Sequence, residues 1–406
     1  MATENNNKTL NVPNLRFPEF SGEWIHCALG DISDVTKLAG FEFTQYVTYE
    51  DSGSIIALRG LNCKNGRLDL SDVKYIDNSN LSKLTRSKLY IGDILFTYVG
   101  TVGEVAIIEE NDRYYLAPNV SRIRLNNGYN PYFVKQLLHT NRFYNKIIFP
   151  LIATSSQPAL SMENVRKFAL QIPSISEQQK ISSFLALLDE RIATQIKIIE
   201  KLESLIRGIV TKVCSGTFVK GEYVFLRDIL TERHIKNTEN YEVCSVSVSQ
   251  GIVNQIDYLG RSFAAKETLH YNVVNYGDVV YTKSPTGDFP YGIVKRSNIH
   301  RPVAVSPLYG VYQPKNDYIG RFLHLYFKSP INAKNYLHRL IQKGAKNTIN
   351  ITNSHFLDNK VFIPDDAELK NIVNLTSAIE DKLILANQML DSLKSQKSYL
   401  LSKMFI

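Results

Sequence analysis

The chain has 406 residues, of which 44% are hydrophobic and 11% are aromatic. This length exceeds one ordinary core and this composition excludes a disordered chain, so we expect two globular domains with connectors. The net charge of +8 favours a polyanionic partner such as nucleic acid.

Other classes of protein are excluded by the residue pattern. The four cysteines form no Cys-x-x-Cys pair and the eight histidines have no metal-ligand spacing, so neither a zinc site nor a disulfide framework is expected. No apolar run reaches the ~18 residues of a membrane span. The polar, Asn-rich residues 1–10 differ from a signal peptide. We therefore expect a cytoplasmic protein with reduced thiols and no membrane partner.

Residues 1–20 are predicted to form a loose leader, and ordered structure is expected to begin near Trp24. Residues 29–32 are interpreted as the first turn and strand. Short apolar runs bounded by Gly, Asn and Asp then predict strands at residues 55–58, 94–98, 105–108 and 120–125. Asn130 before Pro131 predicts the capped start of a helix.

The composition changes at residue 176. From there to residue 213 there is no proline, and apolar residues recur at spacings of three and four. This heptad pattern predicts a helix about 55 Å long, with Ser176 and Gln179 as a capping box and Gly216 near its end. Its seam is predicted to contain Leu185, Leu188, Ile192, Ile199, Leu202, Ile206 and Ile209.

The second half repeats the first. The run Gly92-Asp93-Ile94-Leu95-Phe96-Thr97 returns as Gly277-Asp278-Val279-Val280-Tyr281-Thr282, at an offset of 278 − 93 = 185 residues. Each half also has an apolar strand that ends in a proline before a long helix, at an offset of 364 − 173 = 191. Shifting the first seam by 191 residues predicts a second seam, in which Lys397 breaks the apolar pattern. Its apolar members are Ile379, Leu383, Ala386, Leu390, Leu393, Leu400 and Met404.

A long helix with one apolar stripe is marginal in water by itself, so the two helices are expected to pair. If they pair across the approximate two-fold axis of the duplication, they must run antiparallel. Two similar surfaces would then lie at opposite ends of a spacer, an arrangement that suits a bipartite partner such as duplex DNA. The alternative, in which each helix packs on its own domain, stays open.

Two segments partly match catalytic motifs, and both matches have structural explanations. No Walker A loop and no Gly-x-Gly-x-x-Gly turn is present. The run Asn130-Pro131-Tyr132-Phe133 is similar to a methyltransferase loop but fits a helix cap better. Pro364-Asp365 with Glu368-Leu369-Lys370 is similar to a nuclease motif, but acidic residues at a helix start complement the macrodipole. We therefore expect no catalytic residue, cofactor or metal in this chain.

Polar loops at matching places in both halves form the candidate DNA-binding surface. One pair of loops follows the Gly-Asp strands, and the other pair precedes the long helices. Their hydroxyl, amide and lysine side chains can donate to phosphates or contact base edges. The candidates are Tyr98, Thr101, Thr154, Ser155, Ser156, Gln157, Lys283, Ser284, Thr286, Lys343, Lys346, Asn347 and Thr348.

Together these features resemble the specificity subunits of type I restriction–modification systems, over nearly the whole chain. The matching residues are Arg16-Phe17-Pro18-Glu19-Phe20 with Glu23-Trp24, the Gly-Asp strands, and Ile172-Pro173 followed by Ser176-Glu177-Gln178-Gln179-Lys180-Ile181. The second half departs from the pattern. Glu368-Leu369-Lys370-Asn371-Ile372 replaces the Glu-Gln-Gln-Lys-Ile helix start, and Phe289-Pro290 interrupts the second Gly-rich loop.

The resemblance implies an α+β fold with two tandem mixed α/β target-recognition domains. They would be separated by two long conserved helices that form an antiparallel coiled coil with pseudo-two-fold symmetry. The expected boundaries are 1–175 for the first recognition domain, 176–216 for the central helix, 217–364 for the second recognition domain and 365–406 for the last helix.

The resemblance also implies a non-catalytic role in a larger complex. Each recognition domain would bind one half of a bipartite site in double-stranded DNA. Two methyltransferase subunits would dock on the helices, and restriction–translocase subunits would join them. S-adenosylmethionine, ATP and magnesium would belong to these partners.

Two other classes of function stay open. One is a protein scaffold whose coiled coil holds two carbohydrate- or peptide-binding domains. It would lack the salt-dependent DNA affinity that counterion release gives a phosphate-binding protein. The other is a stand-alone methyltransferase or nuclease, which binding of S-adenosylmethionine by the chain alone would support.

Overall fold

The computed structural model of the chain describes residues 11–152, 158–259, 267–343 and 349–406. These residues form two compact units: unit 1 runs to Gln195 and includes Met389–Ile406, and unit 2 is Ile196–Gln388. This division cuts each long helix into two parts, whereas the predicted boundaries keep each helix whole. Those boundaries therefore stay a prediction.

In the first half, short strands and helices precede the first long helix. They are β1 (Ile25–Ala28), α1 (Leu29–Ile32), β2 (Ser33–Lys37), α2 (Gly40–Tyr46), β3 (Ile56–Leu58), β4 (Cys63–Lys64), β5 (Arg67–Leu68), β6 (Lys74–Tyr75), β7 (Ile94–Thr97), β8 (Val105–Ile107), β9 (Tyr114–Leu116), β10 (Val120–Leu125), α3 (Pro131–Leu138), α4 (Asn141–Phe143), α5 (Met162–Arg166), β11 (Ala169–Ile172) and the long helix α6 (Ile175–Cys214).

The second half has a similar series of elements. They are β12 (Gly221–Phe225), β13 (Leu230–Glu232), β14 (Cys244–Ser247), β15 (Gly251–Asn254), α7 (Gln255–Leu259), β16 (Asn272–Val274), β17 (Val279–Thr282), β18 (Ile293–Arg296), β19 (Val303–Val305), β20 (Gly310–Pro314), α8 (Asp317–Lys328), α9 (Pro330–His338), β21 (Gln342–Lys343), β22 (Ile349–Asn350), β23 (Lys360–Pro364) and the long helix α10 (Asp366–Met404). No helix in the described part of the chain is both long and apolar enough to cross a membrane.

The sheets of the two units share one plan. In unit 1 an antiparallel sheet has the order β2-β10-β7-β8, and β1 pairs with β11. In unit 2 the corresponding sheet has the order β13-β20-β17-β18, and β12 pairs with β23. The pairs β1–β11 and β12–β23 are each called the ribbon of their half. Each long helix begins within three residues of the end of the second ribbon strand, β11 or β23. The duplication read from the sequence is therefore present in the strand order.

Smaller sheets distinguish the two units. In unit 1 a three-stranded sheet has the order β6-β3-β9, with β3 and β9 parallel, and β4 pairs with β5. In unit 2 the additional strands form the pairs β14-β15, β16-β19 and β21-β22. The common plan is thus the four-stranded sheet with its ribbon, and the additions differ between units.

Two expectations for the start of the chain are wrong. Residues 29–32 form the short helix α1 between two strands, not the first strand. Residues 11–20 are not a loose leader, because Arg16 pairs with Glu177 at 2.7 Å and Phe17 packs edge-on against Phe184. A basic and an aromatic side chain in a polar stretch gave no periodic signal from which these contacts could be predicted.

A buried polar hub holds the start of α6 in unit 1. Glu177 accepts hydrogen bonds from Arg16 Nε (2.8 Å) and from the Trp24 indole N–H (3.4 Å). Gln178 Oε1 accepts from the backbone N–H of Asn130, and Gln179 Oε1 accepts from Asn130 Nδ2. Two of the sequence motifs that carry the resemblance, the one from Arg16 to Trp24 and the one that begins α6, thus meet at this point. They hold the helix to its domain.

The predicted capping box at Ser176 and Gln179 is wrong. The helix begins at Ile175, and Ser174 is the residue whose hydroxyl accepts from the backbone N–H of Glu177, at 3.4 Å. Ser174 and Glu177 have the same spacing as the predicted pair, so the sequence pattern was ambiguous by two residues. At the other end, Gly216 lies just beyond α6 with φ of +66°, a conformation that glycine adopts readily.

The repeated Gly-Asp run is a structural turn. Gly92 and Gly277 have φ of +88° and +89°, in the region that favours glycine. The buried Asp93 carboxylate accepts from the backbone N–H of Tyr90 and binds Arg124 through two hydrogen bonds of 2.7 and 2.6 Å. Asp278 does the same with the backbone N–H of Asn275 and with Arg233. In each unit one carboxylate closes the turn and anchors an arginine.

The two long helices pack against each other within each unit. In unit 1, Leu188 and Ile192 of α6 pack against Leu393 of α10, while Leu185 shares a core with Met404. In unit 2, Ile206 packs with Ile379. In unit 1 the earlier residue of α6, Leu185, lies with Met404, and the later residue, Ile192, lies with Leu393. These segments of the two helices therefore run in opposite directions.

Substitution of the turn carboxylate should destabilise unit 2. Asp278→Asn leaves the largely buried Arg233 without a counter-charge, so we expect a loss of roughly 3 kcal/mol in the free energy of unfolding. Urea denaturation measures it. Asp358→Asn, at the exposed ion pair with Arg227, is the control and should cost no more than about 1 kcal/mol. Equal effects of the two substitutions would contradict the assigned role.

Burial of Lys295 in β18 should make the stability of unit 2 depend on pH. It is 4% exposed, and burial lowers the pKa of its ammonium from 10.5 to about 8, with repulsion from Lys328 adding to the effect and Glu380 opposing it. Between these pH values the unfolded chain binds a proton that the folded chain has lost. Stability should therefore rise with pH from about 8 to 10.5.

Lys295→Met should remove this rise and stabilise the protein at pH 7, by about 3 kcal/mol at most. Thermal and urea unfolding between pH 7 and 10.5 measures both effects. Lys315→Met, at an exposed lysine, is the control and should leave the pH profile of the wild type unchanged. A variant that kept the wild-type profile would show that Lys295 is not the group that titrates.

Candidate nucleic-acid interface

A cleft of about 400 Å³ opens at the end of β7 in unit 1. One wall is formed by the segment around α2 and β3, and the other by the loop after β7 and the turn before β10. Its lining mixes aromatic, amide, hydroxyl and guanidinium groups, namely Phe43, Tyr49, Arg59, Gly60, Leu61, Thr97, Val99, Gly100, Thr101, Pro118 and Asn119. Such groups can stack on bases and donate to phosphates.

Arg59 is held in place at the cleft. Its Nη2 donates to the backbone oxygen and to the carboxylate of Asp72, each at 2.8 Å. Its backbone N–H donates to Asn62 Oδ1, which fixes the turn that follows β3. The buried Nε has no hydrogen-bond partner within the described part of the chain. Arg59 is therefore a cation that its hydrogen bonds hold in a fixed position at the cleft.

Tyr49 lies beside Arg59 in the same lining. Its ring packs edge-on against Phe43 at 5.5 Å between centroids. Burial raises the pKa of its phenol, and the positive charge of Arg59 opposes that shift. The hydroxyl therefore stays protonated at neutral pH and can donate a hydrogen bond.

The two predicted loops of unit 1 meet at this cleft. Gly100 N–H donates to the Pro158 oxygen at 2.9 Å, and Leu160 N–H donates to the Tyr98 oxygen at 2.8 Å. Thr101 is exposed, and its backbone oxygen accepts from the Thr97 hydroxyl. Thr154, Ser155, Ser156 and Gln157 lie outside the described residues, immediately before Pro158.

Tyr98 differs from Thr101 in its surroundings. It is 9% exposed and belongs to the core of unit 1, where burial raises the pKa of its phenol. The Lys37 ammonium lies 5.1 Å from the centre of its ring, a cation–π contact. Contact of either Tyr98 or Thr101 with DNA stays a prediction.

In unit 2 the loop after β17 is shaped by a buried phenylalanine. Phe289 is in the core, and it exchanges two backbone hydrogen bonds with Thr286. Ser284 and Thr286 are exposed, and Lys283 is half-buried. Burial lowers the pKa of Lys283, with Glu232 opposing the shift. Phe289, which interrupts the sequence pattern, therefore anchors the loop to the core.

The second predicted loop of unit 2 is carried on a hairpin. Lys343 lies in β21, which pairs with β22. Lys346, Asn347 and Thr348 lie outside the described residues. The His338 ring, near the start of this hairpin, lies 5.9 Å from the Tyr291 ring, which follows the first loop. Contact of these loops with each other or with DNA stays a prediction.

The two partial motifs have the structural roles expected of them. Asn130 caps α3, and its side chain accepts from the Phe133 N–H at 3.0 Å, with Pro131 at the first helical position. Asp365 precedes α10, where its backbone oxygen accepts from the Leu369 N–H. Among the described residues no group of three or more His, Cys, Asp or Glu side chains could hold a metal ion.

The predicted seam residues are buried or half-buried. Leu185 belongs to the core of unit 1, and a small cluster in that unit contains Leu188, Ile192, Leu390, Leu393 and Leu400. A matching cluster in unit 2 contains Leu202, Ile206, Ile209, Ile379 and Leu383. Ile199 is half-buried. The structure thus brings most of the seam together as two clusters, one in each unit.

Sequence reasoning missed Arg59, Tyr49 and Asn119. Arg59 comes directly after a buried strand and before a glycine, which is a usable signal for a loop position near a sheet end. Tyr49 and Asn119 carried no such signal, because their place in the cleft depends on contacts distant in sequence. Asn119 has φ of +73°, which a turn residue such as Asn tolerates better than most.

Residues 22–204 match the family model described as the type I restriction modification DNA specificity domain. Over 166 residues the chain is 28% identical to a protein described as the MjaX type I restriction enzyme specificity subunit of Methanocaldococcus jannaschii, covering 39% of this chain and 38% of the relative. Over 194 residues it is 25% identical to the HindI specificity subunit of Haemophilus influenzae, covering 46% and 40%.

A solved structure extends the similarity to the whole fold. The specificity subunit of a type I restriction–modification system from M. genitalium has a TM-score of 0.61 and 14% identity, and the match covers 97% of this chain and 99% of that one. The sequence alignments span only about two fifths of the curated relatives. The family resemblance read from the sequence is confirmed.

Proposed function

Because residues 22–204 match the family model of the type I restriction modification DNA specificity domain, we propose that this chain is the DNA sequence-specificity subunit of a type I restriction–modification system. The observation that carries the proposal is the repeated module of a four-stranded sheet and a two-stranded ribbon joined directly to a long helix. Each module would read one half of a bipartite site. The additional strands and loops differ between units, so the two half-sites would differ in sequence.

The long helices would act as the spacer. We infer an antiparallel coiled coil with pseudo-two-fold symmetry, flanked by recognition domains at residues 1–175 and 217–364. The equivalence of the two apolar clusters under a shift of 191 residues supports this arrangement. Leu188 corresponds to Ile379, and Leu202 corresponds to Leu393.

The chain would work without a cofactor of its own. We propose that methyltransferase subunits bring S-adenosylmethionine, and that restriction–translocase subunits bring ATP and magnesium. The whole complex would then act on DNA in the cytoplasm as an adenine methyltransferase and site-specific deoxyribonuclease.

An apolar groove of about 650 Å³ in unit 1 is the proposed docking surface for a methyltransferase subunit. It lies along α6 and the end of α10. Phe184, Leu187 and Met389 are exposed there, although large apolar side chains are usually covered. Glu190, Arg191 and Gln396 give it a polar rim. A rim of this kind around an apolar centre is typical of protein interfaces.

Leu187→Glu should weaken methyltransferase binding at least about tenfold, because it places a charge in the apolar centre of the groove. The melting temperature should stay within a few degrees, since Leu187 is 61% exposed. Leu188→Glu is the matched control at a position that is 8% exposed, and it should lower the melting temperature markedly. Pull-down and thermal unfolding of both variants test the assignment. Undiminished binding by Leu187→Glu would refute it.

Arg59→Ala together with Tyr49→Ala should weaken DNA binding about tenfold or more, because the pair removes a positioned cation and an aromatic surface. The effect should be confined to one half of the recognised site. Arg113→Ala is the control, since Arg113 is exposed and paired with Glu110 outside the cleft. Titration of duplexes with one half-site scrambled measures the effect. Loss at both halves, or no loss, would contradict the placement of the interface.

The function itself is tested by mapping adenine methylation across a genome after co-expression of the chain with its methyltransferase. We expect one bipartite motif with a fixed gap. A chain in which residues 217–364 are exchanged for those of another specificity subunit should change one half of the motif only. A soluble complex without methylation, together with DNA affinity that does not fall with salt, would favour the scaffold function instead.

A further inference from the structure

Lys397, the charged residue in the second apolar seam, is bound inside unit 1. Its Nζ donates to Asp189 Oδ1 of α6 at 2.6 Å, and both side chains are 23% exposed. Gln136 of α3 donates to the other carboxylate oxygen at 3.4 Å. Lys135 attracts the same carboxylate through space, but its pKa is lowered by burial and it donates no hydrogen bond to Asp189 in the described structure. Lys397 is thus the cation that binds Asp189 directly.

The equivalent place in unit 2 is built differently. The shift of 191 residues relates Asp189 to Glu380 and Ile206 to Lys397, since 380 − 189 and 397 − 206 are both 191. Ile206 is buried and packs with Ile379 and Leu325. Glu380 is instead held by Lys328 of α8, at 3.0 Å. The two units therefore share an acidic position but neutralise it from different elements.

The rest of the seam does not distinguish one helix from the other. Leu188 and Ile379, Ile192 and Leu383, Leu202 and Leu393, and Ile209 and Leu400 are equivalent apolar residues. Two copies of the chain could therefore exchange helices, so that α6 pairs with α6 and α10 with α10, at little cost in apolar contact. Exchange of identical elements is a common route to unwanted dimers.

We propose that the Asp189–Lys397 pair is a pairing-specificity element. It directs α6 to pair with α10 of the same chain rather than with α6 of a second copy. In a pair of two α6 helices, Asp189 would face Ile206 of the other copy and would lose its cation. In a pair of two α10 helices, Lys397 would face Glu380, which already forms an ion pair with Lys328. A charged pair in an otherwise apolar seam selects the partner because only one pairing satisfies both charges.

The test uses the full chain. Light and isotope-labelled chains are unfolded together at equal concentration, refolded and analysed by native mass spectrometry for dimers that contain one chain of each kind. The double variant Asp189→Leu/Lys397→Ile removes the distinction and should raise the fraction of mixed dimers about tenfold or more over the wild type. The charge-reversed variant Asp189→Lys/Lys397→Asp keeps the pair and should stay at or below the wild-type fraction.

A conservative variant protects the test against loss of folding. Asp189→Asn/Lys397→Gln removes the charges while keeping both side chains polar and similar in size, and it should also raise the mixed-dimer fraction. Equal fractions in the wild type and in both neutral variants would overturn the proposal. An increase in the charge-reversed variant as large as that in the neutral variants would also overturn it, because the effect would then not depend on a matched pair.

Discussion

Burial of the apolar seams on α6 and α10 is the constraint on which the rest of the structure depends. A 40-residue helix with a single apolar stripe is not stable in water, so most of its stability must come from packing. Within unit 1 the partner of α6 is the end of α10, and within unit 2 it is the beginning of α10. Each unit therefore needs residues from both long helices. A truncation of the end of α10 would remove Met404 and so part of the core of unit 1.

The first turn of each long helix is held to its own unit by different chemistry in the two units. Glu177, Gln178 and Gln179 of α6 bind Arg16, Trp24 and Asn130 in unit 1. At the equivalent place in unit 2, Leu369 is buried in the core. In unit 1 the buried Glu177 carboxylate is paired with Arg16, and in unit 2 an apolar side chain is buried at the start of the helix. The departure of the second half from the family pattern is thus a change of chemistry at a helix start, and the helix forms in both cases.

Sequence patterns predicted the features that depend on local periodicity. Seam positions such as Leu188 and Ile379 and the cap at Asn130 were readable because their signals lie within one element. The strands near residues 94 and 120 were found within one residue of their observed ends. The short helix at Leu29–Ile32 was misread as a strand, since four residues are too few to show a period. The contacts of Arg16 with Glu177 span 161 residues, and no local pattern reports such a distance.

The cleft at β7 was predictable only in part, for the same reason. Thr101 could be placed at the end of a strand from the Gly-Asp run, but Arg59 comes from a separate sheet. Its position depends on Asp72 and Asn62, neither of which carries a recognisable motif. Loops that meet through backbone hydrogen bonds, such as those of Gly100 and Pro158, leave little trace in side-chain composition. The position of the cleft therefore depends on the fold and not on a local sequence pattern.

The two Gly-Asp turns indicate how the halves could diverge without losing the fold. Asp93 and Asp278 each accept a hydrogen bond from the backbone N–H three residues earlier. The arginine that neutralises the carboxylate differs in position, because Arg124 lies near the end of β10 in unit 1, whereas Arg233 follows β13 in unit 2. A buried carboxylate requires a positive partner but does not fix where it comes from. Asp189 and Glu380 show the same freedom, with Lys397 in one unit and Lys328 in the other. Because these four carboxylates are each neutralised by a residue of their own unit, the exposed loops beyond the strands could change independently in the two units, and this independence is the property that two separate half-sites would require.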